Sequence, residues 1–106
     1  MAAIMHGDLT TPDLDEIQLV EVLQALADPV RLQLVRVLAA ADGEMSCHEI
    51  ALPVSKSTGS HHFKVLREAG VVEARVEGTR RYYKLRRAEL DARWPGLLDT
   101  VLRAEV

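Results

Sequence analysis

The sequence predicts a mainly α-helical domain with one β-hairpin near its C-terminal end. Three observations predict it. Apolar residues recur at helical spacing between positions 14 and 69. Capping residues, prolines and glycines cut that stretch into separate helices. Two runs rich in β-branched and aromatic residues then flank a short Glu77-Gly78-Thr79 break. At 106 residues, 48 % of them hydrophobic, the chain can bury one core and is too short for two ordinary domains. The expected organisation is a flexible N-terminal arm, residues 1–12, ahead of one domain, residues 13–106.

In the first helix Leu14, Ile17, Leu19, Val20, Val22, Leu23 and Leu26 are too apolar for a single stripe, so two of its sides are expected to be covered. Asp28 before Pro29 reads as an N-cap and first helical residue. The helix they open repeats Leu32, Val35, Leu38 and Ala39, and Gly43 is its expected end. Ser46 and Glu49 have capping-box spacing, which predicts a short third helix closed by Pro53. A fourth helix runs from Ser55 to about Ala69, with Gly59, Phe63 and Leu66 on one face and Gly70 as its stop. Ser57, Ser60, His61, Lys64 and Glu68 face the other way. Val71–Val76 and Arg81–Leu85 form the hairpin, whose tip is basic. Pro95 can open a last helix presenting Leu97, Leu98, Val101 and Leu102. Phe63, Leu66, Tyr82 and Trp94 are the expected aromatic and aliphatic core, while His62 falls on the flank of its helix, where a packed role is expected.

The order α-α-α-α-β-β-α is that of a winged helix-turn-helix. In that arrangement the second helix of the pair enters the DNA major groove and the hairpin approaches the neighbouring minor groove. Charge supports this reading once its distribution is considered. The chain carries a net charge of −3, yet residues 55–87 hold nine basic side chains against three acidic ones, between two acidic flanks. On this reading Ser57, Thr58, Ser60 and His61 reach base edges or nearby phosphates, and Lys64 and Arg67 grip the backbone one turn further on. Lys56 meets a phosphate near the helix N-terminus, and Arg80 and Arg81 suit the minor groove, although strand alternation lets only one of them point fully outward. Thr58 has a second reading, completing the start of the helix.

Three ordered blocks carry a family resemblance. They are Ala25-Leu-Ala-Asp-Pro-Val-Arg-Leu32, Ser55-Lys-Ser-Thr-Gly-Ser-His-His-Phe-Lys-Val-Leu-Arg-Glu-Ala-Gly-Val-Val72 and Glu77-Gly-Thr-Arg-Arg-Tyr-Tyr-Lys-Leu85. Over about residues 19–87 the chain resembles ArsR/SmtB-type repressors. The resemblance implies a homodimer, joined through its first and last helices, that binds a palindromic operator on double-stranded DNA and leaves it when an effector, often a metal ion, binds. The two-sided first helix and the apolar last helix agree with that interface.

Metal-sensing members of the family use a cysteine-rich start of the third helix. Here that segment is Met45-Ser46-Cys47-His48-Glu49, which makes Cys47 and His48 the metal candidates, with His6 able to complete a site across the dimer. Nickel and zinc are the ions such donors suit. The family's other known site, on the last helix, needs histidines, and none follows His62. The adjacent His61 and His62 lie inside the DNA-reading block.

Other functions are disfavoured by the residues. Cys47 and His48 are neighbours on a helix, about 100° apart, and cannot serve one another as nucleophile and base. With no Gly-rich phosphate loop or paired carboxylates either, an enzyme is not expected. One cysteine excludes an intrachain disulfide, and no apolar run reaches the ~20 residues of a membrane span, which together predict a cytoplasmic protein with no membrane partner. The alternative from a different class is a winged-helix interaction module controlled by a partner protein.

Overall fold

The computed structural model describes residues 10–104. A 3-10 turn (Leu14–Glu16) leads into α1 (Leu19–Leu26), α2 (Pro29–Ala41), β1 (Met45–Ser46), α3 (Lys56–Glu68), the hairpin strands β2 (Val72–Glu77) and β3 (Arg80–Leu85), α4 (Arg87–Arg93) and α5 (Leu97–Arg103). The expected helical architecture with its hairpin is present. It departs from the sequence reading in detail at four places, three with a local cause and one through long-range strand pairing.

The first helix is shorter than its apolar pattern. The Asp13 N–H donates to Glu16 Oε1 at 2.9 Å, closing a capping box that commits residues 14–16 to a tight turn. Ile17 is then extended and fully buried, so it belongs to the core as a linker residue, and α1 starts two positions later. On α1, Val22, Ala25 and Leu26 face the core, whereas Leu19, Val20 and Leu23 remain exposed, Val20 at 62 %. The second apolar side that the sequence announces is therefore uncovered in this chain.

Asp28 caps α2 as expected. Its Oδ1 accepts from the Val30 N–H at 2.9 Å and the Arg31 N–H at 3.1 Å. The helix ends at Asp42, which takes the left-handed conformation (φ 53°) in place of the expected Gly43. A short acidic side chain tolerates that region better than most.

The third helix is not formed. Met45 and Ser46 instead pair with Tyr83 and Tyr82 as an antiparallel edge strand, and the Cys47 N–H donates to the Arg81 carbonyl at 3.0 Å. Half of the anticipated capping box survives, with the Ser46 N–H on Glu49 Oε1 at 2.8 Å, but it closes a single turn. Strand pairing takes the Cys47 N–H, which would have been the first donor of the helix, and too few residues precede Pro53 to recover the nucleation cost.

The last helix is two helices. Trp94 precedes a proline and is pushed out of the α region (φ −137°, ψ 82°), which ends α4. Pro95 lies in the connecting turn, and Gly96, at φ 84°, is the N-cap of α5.

The three-stranded sheet has the order β1-β3-β2, with Ala74 opposite Tyr83 and Val76 opposite Arg81. Gly78 and Thr79 form a two-residue loop, and Gly78 at φ 63° supplies the positive φ that tight hairpin turns need at their first position. The core gathers Ile17, Val22, Leu34, Val35, Leu38, Leu66, Val71, Val72 and Leu98, all nearly fully buried. Gly70 packs so closely on Ile17 that a Cβ there would sit 2.7 Å from Ile17 Cγ1. The extended stretch before α1 is held by three arginines through its backbone. Arg67 donates to the Thr10 carbonyl at 2.7 Å, the buried Arg86 to the Pro12 carbonyl at 2.8 Å, and Arg93 to the Leu14 carbonyl. Residues 10–12, the last part of the expected arm, are thus fastened to the domain. His6 lies outside the described residues.

Candidate nucleic-acid interface

The N-terminus of α3 is built by Ser55, whose Oγ accepts from the Thr58 N–H at 3.2 Å and lies 2.9 Å from Thr58 Oγ1. The Thr58 side chain is thereby turned to the cap, its second sequence reading. Beyond the cap the helix divides cleanly. Gly59, His62, Phe63 and Leu66 are buried, while Lys56, Ser57, Ser60, His61 and Lys64 are exposed. His62 contacts Arg31 across the helix interface, so the packed role expected for it is the one it takes.

The wing is set against this helix by aromatic stacking. The rings of Phe63 and Tyr83 lie 3.9 Å apart and 14° from parallel. Here the sequence reading needs correcting, because Tyr83 is the core tyrosine. Tyr82 is half-buried on the opposite face of β3, under the Arg75 guanidinium at 4.5 Å. The signal was available: counting back from buried Leu85 in steps of two reaches Tyr83 and Arg81. Arg81 accordingly lies on the recognition-helix side of the wing. Arg80 lies on the other, at the tip.

Ser57, Ser60, His61, Lys64 and Arg67 from α3 and Arg81 and Tyr83 from β3 line one concave surface of about 380 Å³. A larger neighbouring cleft of about 610 Å³ lies between α3, the wing and the 47–54 segment, and it brings Lys56, Ser60, Thr79 and Arg81 together with Cys47 and His48. Of the nine DNA-site residues expected from the sequence, Thr58 and Arg80 line neither concavity, and Arg67 is partly occupied by the Thr10 carbonyl.

The basic segment is not uniformly free. Arg75 makes a two-pronged ion pair with Glu44 at 2.7 and 2.9 Å and reaches Glu77 at 2.6 Å. The Glu44 partner, and next Glu77, raise the Arg75 pKa, while Arg75 holds the Glu44 carboxyl below the usual carboxylate range. Arg86 lies 3.7 Å from Glu89, and Arg87 pairs with Asp99 at 2.9 Å. Among the described residues, Lys56, Lys64, Arg67, Arg80 and Arg81 have no carboxylate within ion-pair distance. Internal pairing therefore engages Arg75, Arg86 and Arg87 of the basic segment and none of the cations that line the two concavities beside α3.

The metal candidates are less well assembled. Cys47 Sγ and His48 Nδ1 are 4.0 Å apart at the mouth of the larger cleft. Among the described residues no three His, Cys, Asp or Glu side chains are grouped to hold a metal ion, and two donors fall short of the four a closed zinc site takes. Among the same residues, no helix is long and apolar enough to cross a membrane.

With this geometry in hand, the comparisons with known proteins are consistent with one another. Residues 26–75 match the family described as a helix-turn-helix domain. The HTH-type transcriptional regulator YceK of Bacillus subtilis is 36 % identical over 83 residues, covering 76 % of this chain and 83 % of that protein. A transcriptional repressor SmtB homolog from Synechocystis is 38 % identical over 68 residues, 64 % of this chain and 52 % of that one. A crystal structure described as a possible transcriptional regulator for arsenical resistance superposes with a TM-score of 0.61 at 38 % identity, over 76 % of this chain and 82 % of that chain. The chain belongs to the ArsR/SmtB family of helix-turn-helix DNA-binding transcriptional regulators, a non-enzymatic family.

Proposed function

We propose that this regulator is a homodimeric repressor that reads a two-fold-symmetric operator with α3, while Arg80 and Arg81 of the wing meet the adjacent minor groove. The observation that carries the reading is the single concave surface on which Ser57, Ser60, His61 and Lys64 of α3 converge with Arg81 of β3. A 13-residue helix is about 20 Å long and fits a major groove about 12 Å wide, and its N-terminal end presents the positive pole of the helix to phosphates. The second protomer is argued from Leu19, Val20 and Leu23, which leave an apolar stripe of α1 in water. Repression and an inducing effector follow the relatives, one of them named as a repressor and one described for arsenical resistance.

A nickel or zinc effector would use Cys47 and His48 with further donors from His6 or the second protomer, since the described residues of one protomer supply only two. The test is selection of bound genomic fragments by the purified protein at ~150 mM salt, where non-specific binding is weak, with and without EDTA, nickel and zinc. Recovery of a palindromic site establishes the operator reading, and release by one ion identifies the signal. No enrichment under any condition overturns the reading in favour of the protein-interaction module.

A further inference from the structure

One guanidinium ties three parts of the chain together. Arg31, on the first turn of α2, donates through Nε to the Ala25 carbonyl at 2.6 Å and through Nη2 to the Gln24 carbonyl at 3.4 Å. Both carbonyls belong to the last turn of α1, where a cation meets the negative end of the helix; the Gln24 carbonyl also accepts from the Ala27 N–H at 3.2 Å. The third contact runs from Arg31 Nη1 to His62 Nδ1 at 3.2 Å, on the buried face of α3. His62 itself is only 8 % exposed.

The chemistry of that third contact is fixed by its partners. A guanidinium has donors only and keeps its charge, so His62 must offer a lone pair at Nδ1, which makes it the neutral tautomer protonated at Nε2. Protonation at Nδ1 destroys the acceptor and sets two positive charges face to face in a partly buried contact. The other groups near His62 do not cancel this. Asp28, whose Oδ1 accepts from the Val30 and Arg31 N–H groups, stays ionised and offsets part of the repulsion, but it is the Arg31 guanidinium that touches the imidazole. His61, with its ring 6.0 Å away, faces outward. The packed face of β2 presents Val72 and Ala74, and the one charge on α1, Glu21, is exposed.

We propose that Arg31 and His62 are positioning residues that lock the DNA-reading helix to the end of α1, and that protonation of His62 releases the lock and weakens DNA binding in acid. The inference rests on α3 being the helix that reads DNA. It adds a signal, hydronium, that needs neither a metal site nor an organic ligand. Because α1 also carries the exposed apolar stripe, the lock joins the surface expected to meet the second protomer to the surface expected to meet DNA.

The test compares the full-length protein with its His62→Gln variant, which keeps an acceptor for Arg31 but cannot titrate. Affinity for the best fragment recovered from genomic selection is measured at pH 8 and pH 5.5, either side of the range in which histidines change charge. His61 is present in both proteins, so the ratio of their dissociation constants isolates His62. The expected result is a wild-type to variant ratio that rises at least about fivefold on acidification, the size of a modest coupling free energy. Hydrogen-exchange protection of the 56–68 amides, measured without DNA, should fall in acid in the wild type and hold in the variant. A constant ratio with constant protection overturns the proposal. Acid-dependent protection in a protein that binds no DNA fragment supports the lock and overturns the DNA-reading assignment instead.

Discussion

The Phe63 ring lies flat on Tyr83, 3.9 Å between centroids, and this stack joins α3 to β3 of the wing. Both rings are buried, so the relative placement of α3 and β3 depends on aromatic packing rather than on surface charge. Tyr83→Ala should cost about 3–4 kcal/mol of stability in urea denaturation, and Tyr83→Phe should stay within about 0.5 kcal/mol of wild type.

Two glycines should respond in opposite senses to alanine. A Cβ at Gly59 would meet Leu52 Cδ1 at 3.6 Å, an ordinary contact, in a helix where glycine costs about 1 kcal/mol relative to alanine. Gly59→Ala is therefore expected to raise the melting temperature by several degrees, at about 4–8 °C per kcal/mol. At Gly70 the φ of 86° and the 2.7 Å approach to Ile17 reverse the sign, and Gly70→Ala should lose about 2 kcal/mol or more. Thermal melts of the two variants check both.

The Asp28 cap makes part of the stability pH-dependent. The Arg31 N–H chiefly, with the Val30 N–H, holds its carboxyl below the usual range against the opposing effect of partial burial. A carboxyl lowered in the folded state contributes stability above its unfolded pKa of about 3.9, and that contribution is lost as pH falls through the lower folded value. Asp28→Ala should cost about 1 kcal/mol at neutral pH. Asp28→Asn, still a cap but not ionisable, should differ from wild type at neutral pH and converge with it in acid, as read from denaturation midpoints across pH.

At the DNA surface the side chains should separate by role. Lys64→Ala is expected to weaken binding to all sequences alike and to reduce the slope of log affinity against log salt by about 1, as the loss of one phosphate contact would. Ser60→Ala and His61→Ala should instead flatten the preference among selected fragments. Titrations at several salt concentrations distinguish the two outcomes.

Leu23→Glu places a charge in the uncovered stripe of α1 without touching the core. Sedimentation should show a dimer for the wild type and a monomer for the variant, with the circular dichroism of the monomer unchanged. A wild-type monomer would refute the proposed assembly.

Periodicity and capping were legible where local signals decide the structure. Asp28-Pro29 opened its helix as read, and Gly59, Phe63 and Leu66 turned inward together. The misreadings arose where long-range pairing competed with a local preference. Ser46 and Glu49 carry a helix-start pattern, yet residues 45–47 are adjacent to β3 only after folding, and β3 takes the Cys47 N–H. Tyr82 and Tyr83 are chemically identical neighbours, and only alternation counted back from Leu85 tells which of them faces the core. The Arg31–His62 contact joins positions 31 residues apart, beyond the reach of any spacing rule. Which arginines are paired was in part equally invisible, because Arg75 and Arg87 meet Glu44 and Asp99 through the tertiary fold.

Arg67, Arg86 and Arg93 seize the entering chain by the carbonyls of Thr10, Pro12 and Leu14, and carbonyls are common to every amino acid. Such an anchorage is indifferent to side-chain identity on the strap. Positions 10, 12 and 14 can therefore be rewritten wholesale while the seam holds, whereas one arginine exchanged on the receiving side would unfasten it. Diversification at the front of the domain is unconstrained by the anchor, and the constraint sits more than fifty residues downstream.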